Sequence, residues 1–287
     1  MKKTITISIL TIFCLALMAT CLVACNFSIA GSFQTTNHTV ADFDKIDIDV
    51  DISNVEIKFD DNAQYGVVCY EPEALKHSVK VENNTLYISS KANINVVGLT
   101  KAPKVTVYLK KADLSSIIVD TDTGSITLER GFTVVDAQLD TDTGSINCSA
   151  VISNNLEAST DTGSIKATEI GDSNAVHVST DTGKILLKDF NCTSVVAEND
   201  TGDIELSNVI SESLNLTTDT GDVKLTRSDG TQGIVITTDT GDISGTIGKG
   251  KNFSTNTDTG DINVPAADGD ILVILKTNTG DIDINFF

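Results

Sequence analysis

Over the last 170 or so positions, apolar residues recur in two short alternations separated by a fixed Thr-Gly pair. The glycines of that pair stand at 124, 144, 163, 183, 202, 221, 241, 260 and 280, so every spacing is 19 or 20 residues and there are nine copies. Counted from the glycine, position −7 is Ile117, Ala137, Leu156, Val176, Val195, Leu214, Ile234, Phe253 and Val273, all apolar. Position −5 is apolar in every copy but one, which has Thr255; position +2 is Ile or Val throughout, and +4 is apolar except at Gly245. Alternation with a period of two on both sides of the glycine predicts two strands per copy, each with one buried face.

The phase of the alternation changes at the Thr-Gly pair. Inward positions at −7, −5, −3 and −1 would continue to +1 and +3, yet the apolar residues sit at +2 and +4. One residue of phase is lost, so the chain turns a corner there, and glycine is the residue that a sharp corner tolerates. Beyond +4 an apolar residue recurs at +7 in Val151, Ile170, Phe190 and Val209, which predicts a short third side. Coils of this length, repeated without interruption, predict an all-β fold: a parallel β-solenoid of about nine coils. Strand stacking at about 4.8 Å makes such a rod about 43 Å long.

The same phase sorts the polar residues. Threonines at −3 (Asn199 in one copy) and −1 are expected inward or in the corner. Aspartates at −2 point outward: Asp122, Asp142, Asp161, Asp181, Asp200, Asp219, Asp239 and Asp258, then Asn278. A second acidic file runs at +1 in the later copies through Asp203, Asp222, Asp242, Asp261 and Asp281. Like charges about 4.8 Å apart repel by roughly 1 kcal/mol in water and several-fold more near a protein surface. Either the carboxylates accept backbone N–H groups, or Ca²⁺ bridges them between coils. The candidate Ca²⁺ ligands are Asp200, Asp203, Asp219, Asp222, Asp239, Asp242, Asp258 and Asp261. Neither the nonapeptide of calcium-binding β-rolls nor an EF-hand loop is present, so no cofactor is expected.

"DTGS" at 122–125 is also the tetrapeptide of aspartic proteases. That chemistry needs two carboxylates sharing a proton in isolation from other charges, whereas every copy here has acidic neighbours. An ice-binding threonine face would require the aspartates inside, which is prohibitive. A β-helix enzyme acting on envelope polysaccharide is the more serious alternative, but there is no Trp, all four Tyr precede the repeats, and the only arginines are Arg130 and Arg227. His177 at −6 reads as a solvated side chain. No catalytic residue is assigned, and the chain is expected not to be an enzyme.

The start of the chain is an address. "MKK" followed by an apolar stretch and "LVAC" at 22–25 resembles a bacterial lipoprotein signal, which implies cleavage before Cys25 and its lipidation. Residues 1–24 are then the signal peptide, 25–45 a polar tether, 46–112 an N-terminal β cap with a hairpin at Asn83-Asn84, and 113–287 the solenoid. "DISNVEI" at 51–57 reads as a degenerate coil, and a cap is needed because an open coil edge would pair with other chains. What covers the other end is not evident. Cys69, Cys148 and Cys192 remain and read as small buried hydrophobes, not a disulfide framework.

A formal charge of −20 excludes nucleic acid as a partner and suits cations or basic surfaces. "VTVYLKKADLSSIIVDTDTGSI" followed by repeated "TDTGDI" resembles the β-strand-repeat "putative adhesin" family of bacterial envelope proteins, over most of residues 46–287. The resemblance implies a surface β-solenoid, sometimes associated with envelope stress, and supplies no catalytic residues. The expectation is a monomeric, lipid-anchored, extracytoplasmic solenoid that binds an envelope or host-surface ligand. The alternatives are the polysaccharide enzyme and a structural or stress-associated component without an external ligand.

Overall fold

The computed structural model describes residues 28–29, 32–91, 96–97 and 101–287. Among these there is no helix, and one continuous apolar core runs from Phe43 to Ile284. The signal segment and Cys25 lie outside the described residues.

Each Thr-Gly copy is one coil, numbered 1 to 9 by its glycine. The strand before the glycine stacks in parallel register on its counterpart in the next coil, as in Ile117↔Ala137 and Thr123↔Thr143, and the strand after it does likewise, as in Ile126↔Ile146. The apolar residues at −7, −5, +2 and +4 close the core between them, and most are no more than 1% exposed. The third side is present too: Ile170, Phe190 and Val209 are buried there. Val151 is the exception, 38% exposed, while its neighbour Ile152 fills the core. The chain reaches that side through a second corner at +6, where Glu169, Asp189, Asn208 and Arg227 take φ of 49–59°. Sequence periodicity gives no sign of this corner because no glycine marks it.

At the Thr-Gly corner the glycine is required mainly by proximity. A Cβ on Gly221 would lie 2.0 Å from the carbonyl oxygen of Gly202, and the same clash recurs up the stack. At Gly221 and Gly241 the φ of 155° and 149° adds a backbone conformation that side chains disfavour.

The coils do not stack in chain order at either end. Coil 9, Ile271–Thr279 with Ile282–Phe286, lies against coil 7 on one side and coil 8 on the other. Coil 8 is therefore outermost, which explains its irregularities. Thr255 and Phe253 are only half-buried, and Ile262 is 45% exposed because none of the described residues packs beyond it. Lys251 at the start of coil 8 is fully buried. Its ammonium reaches past coil 9 to the carboxylate of Asp229, 2.9 Å away, and donates to the carbonyl of Gly230 in coil 7.

The N-terminal end repeats the device. Lys45–Val50 and Asn54–Phe59 form a coil that stacks on coil 1, so the "DISNVEI" reading is correct, with Ser53 in the glycine's place. Thr85–Ser90 and Lys104–Leu109 form a layer outside it, again in parallel. Antiparallel strands then finish both sides: Ser78–Glu82 on one, Val67–Pro72 and Phe33–His38 on the other. The expected hairpin is found, with Asn83 and Asn84 at φ 49° and 64°, the geometry of a type I′ turn. Two boundaries differ from expectation. The solenoid stacking continues through 112 into the cap without a break in the core. Residues 33–38, read as tether, form the edge strand, where Phe33 stacks on Tyr70 with ring centres 4.8 Å apart.

Candidate functional site

The polar files divide into those that the fold consumes and one that it leaves. Threonines at −3 are buried in all but the outermost coil; Thr121 donates to the carbonyl of Ser53, and the later hydroxyls donate to the glycine carbonyl of the adjacent coil, as in Thr141 to Gly124, Thr160 to Gly144 and Thr180 to Gly163, all at 3.0 Å. Asn199 does the same with its amide, to Gly183 at 2.7 Å, which is why this one replacement is tolerated. In the swapped end, Thr277 donates to Gly241 and Thr257 to Gly280, following the stack, not the sequence.

The +1 file is also structural. The carboxylate of Asp203 accepts the backbone N–H of Asp222, Asp222 that of Asp242, Asp242 that of Asp281, and Asp281 that of Asp261, at 2.8–3.1 Å. Serines at +1 offer their hydroxyl oxygens to the same N–H in the earlier coils, at 3.3–3.4 Å. A backbone donor at the corner thus finds an acceptor in either case, and charge repulsion is the cost of the stronger one. Among the described residues, the eight aspartates named as Ca²⁺ candidates form no group of three with donor atoms within 4.8 Å of one another.

What remains is the ridge at −2 and −1. All the −2 aspartates are exposed, and so are all nine −1 threonines, Thr123 to Thr279, which lie at the corner but do not point inward. The lost residue of phase falls before −1, so Asp and Thr both face solvent on the outer edge of the corner. Among the described residues, no hydrogen bond or ion pair engages the carboxylates of Asp142, Asp161, Asp181, Asp200, Asp219 or Asp258; Asp239 accepts from Asn278. At the N-terminal end, burial and then the neighbouring Asp51, Asp142 and Asp49 push the Asp122 carboxyl above its ordinary range. Asp120 is pushed up in the same way, by burial and then by Asp140 and Asp49. A groove of about 500 Å³ opens here, lined by Thr123, Ser125, Thr143, Lys101 and Pro103 among others.

A second constellation is inside the cap, and the sequence reading missed it. Cys69, Glu71 and His77 are buried, with donor atoms all within 4.8 Å of one another. Glu71 accepts the hydroxyl of Thr36 at 2.6 Å, the backbone N–H of His77 at 2.8 Å and His77 Nδ1 at 2.7 Å; Ser53 Oγ lies 2.8 Å from His77 Nε2. Burial raises the Glu71 carboxyl, and these donors more than offset it, leaving its pKa lowered. Burial holds the His77 pKa down against the pull of Glu71, so the ring is neutral, and burial pushes the Cys69 thiol up to about 12. Serine, histidine and carboxylate follow the order of a nucleophilic relay, but Ser53 is wholly buried and no substrate carbonyl can reach it. The signal available in the sequence was Glu71 itself, a charge in phase with the inward Val67 and Cys69.

A model of the family described as Toastrack DUF4097 matches residues 43–229 and 171–287. No curated protein matches the chain. Among solved structures, the chain is similar to one described as a "putative adhesin" from Bacteroides fragilis, at 18% identity and a TM-score of 0.48, over 88% of this chain and 97% of that one. Another "putative adhesin", from Parabacteroides distasonis, aligns at 15% identity with a TM-score of 0.49 over 89% and 98%. A "putative cell adhesion protein" from Clostridium sporogenes aligns at 10% with a TM-score of 0.28 over 89% and 99%.

Proposed function

The chain belongs to the Toastrack DUF4097 family, and from that premise we propose that it is a lipid-anchored, extracytoplasmic rod whose exposed Asp-Thr ridge is a binding surface of the cell envelope. The observation that carries this reading is the contrast between files. The −3 threonines and +1 acceptors each close a hydrogen bond that the stack needs. The −2 carboxylates close almost none, and they repel one another.

A row of anionic and hydroxyl groups at the strand spacing fits an extended partner bearing cationic and hydrogen-bonding groups, such as a basic protein surface or an amino-bearing glycan. Binding by many weak sites in series gains from multivalency, so no deep pocket is required. The chain acts without catalysis in this reading, since no copy of the repeat is set apart as a reaction centre. Cys25 carries the lipid.

Retention of the labelled chain on isolated envelope preparations tests the ridge. An Asp161→Asn/Asp181→Asn/Asp200→Asn variant is expected to lose several-fold in retention, steeply with added salt; equal retention refutes the ridge. In cells, Cys25→Ala is expected to abolish fatty-acid labelling and membrane fractionation, and a labelled variant refutes the anchor.

A further inference from the structure

We propose that the cap holds one structural Zn²⁺, bound by Cys69 Sγ, Glu71 Oε2 and His77 Nδ1; His38 Nε2, which lies outside this group of three, would complete the set only by a turn of its ring. The three side chains offer sulfur, oxygen and nitrogen atoms within 4.8 Å of one another, all buried. Zinc bonds of about 2.0–2.3 Å place its ligands closer together than that limit. Among the described residues no other group of three potential metal ligands meets it.

The second observation concerns His38. Its Nε2 is buried with no hydrogen-bond partner, and a buried imidazole nitrogen left unpaired calls for an explanation. His38 sits two residues along the edge strand from Thr36, whose hydroxyl already touches Glu71.

The surroundings have the form of an outer ligand shell. With His77 Nδ1 on the metal, Nε2–H donates to Ser53 Oγ, and Thr36 holds the other oxygen of Glu71. Without metal, a proton occupies the 2.7 Å gap between His77 Nδ1 and Glu71 Oε2; the ion takes its place as the two atoms part to about 3.4 Å, the separation that tetrahedral bonds of about 2.0–2.1 Å impose. The charges balance. Glu71 is already ionised, the imidazole stays neutral by moving its proton to Nε2, and the Cys69 thiol releases one proton to solvent. Zn²⁺ with one thiolate and one carboxylate is then neutral, which a buried site requires. Through Thr36, Glu71 and Ser53 the site ties the edge strand 33–38, the strand 67–72 and the corner at Ser53 together.

The test uses the full chain, purified in detergent and stripped with EDTA, then titrated with Co²⁺ as a spectroscopic probe. The expected result is a thiolate-to-cobalt charge-transfer band that saturates at one equivalent and is bleached by one equivalent of Zn²⁺. It is absent in Cys69→Ala and retained in Cys148→Ala. Ser53→Ala is expected to weaken binding about 10- to 100-fold. Absence of the band in the wild type, or a band of equal strength in Cys69→Ala, overturns the proposal. Thermal melting keeps the result decisive if Cys69→Ala folds poorly: Zn²⁺ raises the melting temperature of the stripped wild type, and no rise overturns the site.

Discussion

At the scale of the residue, the repeat is a set of hydrogen-bonding instructions. The −3 hydroxyl, the corner glycine and the +1 acceptor together satisfy a bend that would otherwise bury unpaired backbone groups. Thr180→Val keeps the shape and removes one donor, so Gly163 loses its partner; a loss of about 1–3 kcal/mol in denaturant unfolding is expected. The −7, −5, +2 and +4 core was legible because apolar burial is periodic. The −1 threonines were not, because a phase slip at a corner can fall on either side of a residue and only the backbone path decides which. Glu71 and His77 escaped for a different reason: a buried polar group is partnered through space, by Ser53 and Thr36, and those partners are distant in the chain.

At the scale of the element, the two ends share one solution. The first coil in sequence, 45–59, is covered by the layer 85–109, and the last, coil 9, is covered by coil 8. A solenoid whose units contact only their neighbours is open to fraying from its termini; here a terminal coil cannot leave without displacing the layer over it. Periodicity located every coil but could not order them, since all nine present the same stacking surface. The irregularities at Thr255 and Ile262 mark coil 8 as the edge, and the Lys251–Asp229 pair fixes the order by spanning the inserted coil. Lys251→Met leaves Asp229 without its cation and is expected to cost about 3–5 kcal/mol. The Lys251→Met/Asp229→Leu double variant is expected to recover most of that loss; a double variant no better than the single one would show that the pair does not hold the order. Both are read by urea unfolding.

At the scale of the whole molecule, charge is distributed unevenly. Residues 113–287 carry 29 acidic and 9 basic side chains, a net of −20, whereas 42–111 carry 11 and 9. The rod is acidic and the cap almost neutral. Stability then depends on pH in two opposed ways. Asp120 and Asp122 have raised pKa values, so near neutrality their charges oppose folding; as pH falls through the raised folded values, the folded state takes up protons first and gains stability. Glu56 behaves oppositely. Burial pushes its carboxyl up, but Lys104 and Lys58 more than offset this and hold it at about 2, so its contribution is present above the ordinary 4.5 and is lost as pH falls toward 2. Glu71, also lowered, acts in the same sense. The melting temperature is therefore expected to rise as pH falls through the raised range of Asp120 and Asp122 and to fall again as pH drops from 4.5 toward 2, with a smaller rise in Asp122→Asn.

The central claim is that the −2 ridge is surplus to folding and kept for contact with a partner. Its most direct test is the melting temperature of Asp161→Asn/Asp181→Asn/Asp200→Asn against the parent at low ionic strength. Removing three stacked charges that close no hydrogen bond is expected to raise it by a few degrees, at about 2–4 °C per kcal/mol for a chain of this size. A variant that melts lower than the parent would mean that the carboxylates hold the coils together, and the ridge would then belong to the fold.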